Sequence, residues 1–89
     1  MPASSERTAV LPGKVALHAP PAGAYVKDAA QFQSSIAIAA NGNRANAKSI
    51  LEVLGLGATG GTELTLSASG DDAAEAVDHL ATLVTELAE

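Results

Sequence analysis

The chemistry this sequence could support starts at His18, in the stretch Leu17-His18-Ala19-Pro20-Pro21-Ala22, directly before a predicted helix. A helix start presents backbone N–H groups without internal partners and a partial positive charge, and both suit an anion. The same field favours the neutral imidazole, whose ring nitrogen can attack phosphorus, and the helix end then steadies the resulting phosphoryl group. Placement alone equally fits a capping or surface histidine. His79, the other histidine, stands near Asp71, Asp72 and Asp78, which read as a solvated helix face with dipole pairing. Two histidines without further ligands make a poor metal site, and neither a metal nor a cofactor is expected. No serine shows the setting of a catalytic triad. The run Gly55-Leu56-Gly57-Ala58-Thr59-Gly60-Gly61 lacks the Lys-Ser or Lys-Thr ending of a phosphate loop and reads as a helix exit.

The elements that must position His18 follow from periodicity. After a loose start, Met1 to Glu6, a short strand is predicted over Thr8 to Leu11, ended by Pro12-Gly13. Lys14 to Leu17 then leads as a loop to His18. A helix is predicted from Ala19 to Gln31, with proline tolerated in its first turn. Ala22, Tyr25, Val26 and Ala29 share one of its faces, and Phe32 anchors the exit. Ser35 to Ala40 reads as a strand, Asn41-Gly42 as a two-residue hairpin turn, and Asn43 to Ala47 as the returning strand. Ser49 can cap a short helix from Ile50 to about Leu56, on which Ile50, Val53 and Leu54 share a face and Leu51 lies off it. Glu63 to Ser69 alternates as a half-buried strand. Asp72 to Ala88 is the clearest helix, with Asp72 and Glu75 resembling a capping box and a stripe of Ala73, Ala76, Val77, Leu80, Leu83, Val84 and Leu87. The order predicts a two-layer α+β fold, an open-faced β-sandwich in which three helices cover one face of a four-stranded antiparallel sheet.

Composition narrows the class. Eighty-nine residues suit a single domain, residues 1–89, able to bury a thin core. The 47% apolar content includes 20 alanines and only Tyr25 and Phe32 as aromatics, which suits closely approaching helices and sheet. A net charge of −5 argues against nucleic acid and against an anionic membrane surface. Cysteine is absent, which excludes disulfides, thiol catalysis and Cys-ligated zinc. Met1 to Arg7 carries no apolar signal core, and no apolar run approaches the roughly 18 residues that span a bilayer. A cytoplasmic protein without membrane insertion is the expectation.

The His18 stretch resembles the active-site motif Leu-His-Ala-Arg-Pro-Ala of the HPr family of histidine phosphocarriers. Tyr25-Val26-Lys27 and Phe32 resemble the rest of that family's first helix, and Asn41-Gly42 resembles its hairpin. Ala47-Lys48-Ser49-Ile50-Leu51 is similar to its regulatory serine segment, and Val53 to Ala58, with Gly61 and Thr62, is similar to its short-helix exit. Ala76-Val77-Asp78-His79-Leu80 resembles its last helix. The likeness covers nearly the whole chain. It implies a carrier with a transient phosphohistidine rather than a free-standing enzyme. His18 would accept a phosphoryl group from enzyme I and pass it to enzyme IIA, with Ala19 and Pro20 at the phosphoryl-stabilising positions. It implies a monomer, and a serine kinase and phosphatase acting on Ser49 in the manner of some family members.

One position departs from the motif. Pro20 stands where the family has arginine, so the site lacks a permanent charge and one backbone N–H. Charge-assisted hydrogen bonds contribute about 1.5–3 kcal/mol each, so transfer is expected to slow by orders of magnitude. Pro21 also biases Pro20 away from helical ψ, which predicts a helix that begins later. The alternative function is therefore an HPr-like regulatory or protein-binding module with impaired transfer. Its partner surface would be the apolar rim of Leu51, Val53 and Leu54 beside Ala19 and Ala22.

Overall fold

The computed structural model describes residues 3–12 and 19–86. His18, the predicted loop from Lys14 to Leu17, and the predicted helix end at Leu87 and Ala88 lie outside the described residues. The elements run β1 (Ser4–Val10), α1 (Ala19–Ala29), β2 (Ser35–Ala40), β3 (Asn43–Asn46), α2 (Ile50–Leu54), β4 (Glu63–Ser69) and α3 (Ala73–Glu86). The four strands form one sheet in the order β1-β4-β2-β3, and each neighbouring pair is antiparallel.

Alternation decides which face of the sheet is covered. Ile36, Ile38 and Ala40 on β2 and Leu64, Leu66 and Ala68 on β4 are buried, on the side where the helices pack. The residues between them, such as Ala37, Ala39, Thr65 and Ser67, are only half-buried on the open face. The buried stripe of α3 is Ala73, Ala76, Val77, Leu80, Ala81 and Val84. It is rich in alanine, which lets the helix sit close to the sheet. Asn41 and Gly42 take φ values of 55° and 79°, the paired left-handed geometry of a tight hairpin turn.

Several boundaries differ from expectation for identifiable reasons. β1 starts at Ser4 rather than Thr8, because it is held by its ladder to β4, from Ser4 opposite Ser69 to Val10 opposite Glu63. Ala9 is the only residue within β1 that is fully buried, so apolar patterning could not reveal the strand's first half. α1 begins at Ala19 and includes Pro20, so the later start inferred from Pro21 is corrected. In a first turn proline loses no intrahelical bond, and its own φ is already helical. α1 ends at Ala29, short of Gln31, where the amides of Gln31 and Phe32 turn back to the carbonyls of Asp28 and Ala29 at 3.1 and 3.2 Å. α2 stops at Leu54, where the Gly55 amide donates to the Leu51 carbonyl.

The start of α3 is also built differently from a capping box. The Asp72 carbonyl accepts from the Ala76 amide at 2.9 Å. Its carboxylate reaches across the fold to the amides of Gln33 and Ser34, both at 2.9 Å, and to the Ser34 hydroxyl. These bonds hold the carboxyl below its ordinary range, the Ser34 hydroxyl first and the Gln33 amide next. Gly70 makes the approach possible, since a Cβ there would lie 2.6 Å from Ser34 Oγ.

Candidate functional site

Helix α1 follows His18 directly in the chain, and Ala19 and Pro20 form its first turn. That turn holds no acidic residue. The helix is seated by Ala22, Tyr25 and Ala29, all fully buried, with Val26 and Phe32 packed partly against the core. Tyr25 presents the largest of these side chains. Its hydroxyl has no hydrogen-bond partner among the described residues, and burial pushes the phenol's pKa up.

Helix α2 lies against α1. A Cβ built on Gly23 would meet Ile50 Cδ1 at 3.7 Å, so α2 approaches α1 where α1 has no side chain. Ser49 caps α2, its hydroxyl accepting the Glu52 amide at 3.4 Å. The Glu52 carboxylate in turn accepts the Asn46 amide at 2.9 Å and ties α2 to β3.

The predicted apolar rim is only partly a surface. Leu51 is 79% exposed and Ile50 39%, while Leu54 is half-buried against the core. Ala22 and Val53 are fully buried, so neither can present a side chain to a partner. This corrects their place in the rim. The stripe that includes Ala22 faces the core, and Val53 is the one fully buried residue of α2. Ile50, which shares a face with Val53 and Leu54 by periodicity and has no place in the predicted rim, is exposed and joins it. In a helix of five residues, half a turn of phase decides burial, and periodicity has too few points to resolve it.

The second histidine is structural in its surroundings. His79 Nε2 lies 3.0 Å from Asp28 Oδ2, joining α3 to α1, and its ring sits 5.6 Å from that of Phe32. Asp78 pairs with Arg7 on β1. Among the described residues no three metal-ligating side chains converge, and no helix is long and apolar enough to cross a membrane.

Comparison with known proteins agrees with this architecture. A family profile described as the PTS HPr component phosphorylation site matches residues 5–86. Phosphocarrier protein HPr of Buchnera aphidicola is 45% identical over 71 residues, covering 80% of this chain and 84% of the relative. The HPr-like protein Crh of Bacillus subtilis is 41% identical over 73 residues, covering 82% of this chain and 86% of the relative. A crystal structure of HPr from Thermoanaerobacter tengcongensis superposes with a TM-score of 0.85 at 39% identity, covering 90% of each chain. With fold, helix placement and sequence in agreement over most of its length, the chain belongs to the HPr family, the phosphocarriers of the phosphotransferase system.

Proposed function

We propose that His18 takes a phosphoryl group from enzyme I and passes it to an enzyme IIA, the chain working as one cytoplasmic, monomeric HPr-like domain. A ring nitrogen of neutral His18 attacks the phosphorus carried by enzyme I. The new N–P bond forms as the bond to enzyme I breaks, and the same exchange runs onward at enzyme IIA. The observation that carries this reading is the start of α1 at Ala19, next to His18 in the chain, with no acidic side chain in its first turn. Of the first three helical residues only Ala19 keeps an amide for that start, since Pro20 and Pro21 have none to offer. Partners would dock on Ile50 and Leu51, the exposed apolar residues of α2.

Incubation with enzyme I and phosphoenolpyruvate should place an acid-labile phosphoryl group on the protein and none on His18→Ala. Failure with several enzyme I proteins, including the one from its own genome, would overturn the reading.

Pro20 favours a second reading, a regulatory or protein-binding module with impaired transfer. Pro20→Arg separates the two. Unchanged transfer supports the carrier, and a rise of about a hundredfold or more shows that the natural site is impaired. Under either reading Ser49 is the proposed target of a serine kinase and phosphatase. A phosphate there would meet the positive end of α2, and Ser49→Ala should abolish kinase-dependent labelling.

A further inference from the structure

The ammonium of Lys48 donates to the carbonyl of Phe32 at 2.6 Å, across 16 residues of chain. Lys48 stands immediately before the α2 cap, and Phe32 lies in the loop that leaves α1. Among the described residues this is the only polar bond between the exit of α1 and the segment leading into α2. The remaining α1–α2 contact involves apolar groups such as Gly23 and Ile50, and such contact is non-directional. The other polar ties of the α2 start run to β3, through Glu52 to Asn46 and the Ser49 amide to the Asn46 carbonyl.

The loop that Lys48 grips is itself fixed. Asp72 holds the amides of Gln33 and Ser34, and the Phe32 ring packs beside His79, which bonds Asp28 on α1. Lys48 therefore refers the start of α2 to a frame made of α1 and α3. Immediately beyond it stand Ile50 and Leu51, two of the three large apolar residues left exposed among the described residues.

We infer that Lys48 is a positioning residue for partner docking: by holding the start of α2 to the exit of α1, it sets where Ile50 and Leu51 meet an incoming protein. The inference rests on the carrier reading for the identity of that partner.

Steady-state transfer from enzyme I and amide hydrogen exchange, measured on the full chain, test it together. In Lys48→Met the apparent KM of enzyme I for this protein should rise about tenfold while kcat changes less than about twofold. Exchange of the Gln31 and Phe32 amides should accelerate about tenfold, with β4 amides unchanged. Lys48→Arg keeps a donor and should return every value to within about threefold of the natural protein. An unchanged KM, a fall confined to kcat, or equal acceleration in β4 would overturn the inference, the last because it marks general loosening. If the natural protein takes no phosphoryl group from enzyme I, the carrier reading fails. The exchange measurement then decides alone: unchanged Gln31 and Phe32 amides in Lys48→Met refute the hold on the loop, and accelerated ones sustain it.

Discussion

Helices α1 and α3 pack against each other, yet their first turns are made of opposite chemistry. α3 is met by its own acids: Glu75 stands in its first turn, and Asp72 precedes it with a carboxylate engaged by Gln33 and Ser34. α1 has no acid in its first turn, and two of its first residues are prolines. A helix start that only joins elements is well served by internal carboxylates, which satisfy donors and offset the dipole. One that receives an anion from outside must leave that place empty. That difference is what the proposed reading requires of α1, where His18 would carry the phosphoryl group, though Pro20 and Pro21 leave its start with fewer donors.

The largest effect should come from dismantling the α3 start. Gly70→Ala would put a Cβ 2.6 Å from Ser34 Oγ and 2.9 Å from Ser34 Cα, at a backbone φ of +145°. Denaturant unfolding should show a loss of about 3 kcal/mol. A loss under about 1 kcal/mol would mean that the loop moves aside freely and that Asp72 does not depend on this close approach.

Making α1 resemble α3 is the next test. Ala19→Asp supplies the missing acid, and phosphoryl acceptance from enzyme I should fall about tenfold while stability holds or rises by roughly 0.5 kcal/mol. Equal transfer would break the comparison, because an occupied helix start would then serve as well as an open one.

Removing the acid from α3 sharpens it from the other side. The Asp72 carboxyl is held below its ordinary value of 3.8. A depressed acid adds stability above that ordinary value and loses it as pH falls through its own lower one. Asp72→Asn should therefore be less stable than the natural protein near neutral pH, with the gap closing in acid. A gap of constant size from neutral to strongly acid solution would show that charge plays no part in the bonds to Ser34 and Gln33.

The smallest change concerns the body of α1. Tyr25→Phe removes a buried hydroxyl that has no partner among the described residues. It should raise stability by about 1 kcal/mol in thermal or denaturant unfolding. A loss of similar size would reveal a bond to the hydroxyl in solution.

Legibility differed by element, and the differences have physical causes. β2 and β4 could be read to the residue, because each has one buried and one open face and the period of two marks it. The Asn41-Gly42 turn was equally plain, since few residue pairs accept left-handed φ twice. β1 was half hidden, as an edge strand held by backbone bonds needs little apolar signal. At the site, the Ser49 cap and the exposure of Leu51 were legible from local rules. The burial of Val53 and the exposure of Ile50 were not, because they depend on how the short α2 turns toward the core, whereas Ala22 already stood on the apolar face of α1.

The sequence by itself determined the order of elements, the resemblance to the HPr family, the place of His18 directly before the first helix, and the loss of charge and N–H at Pro20. These are properties of local patterning and covalent structure, legible along one dimension. Only the tertiary structure decided that Lys48 grips Phe32, that His79 joins Asp28, and that Asp72 holds Ser34 and Gln33 rather than closing a capping box. Each of those contacts joins residues at least 16 positions apart. Which donor meets which acceptor at such separations depends on how the helices lie on the sheet, and no local propensity carries that information.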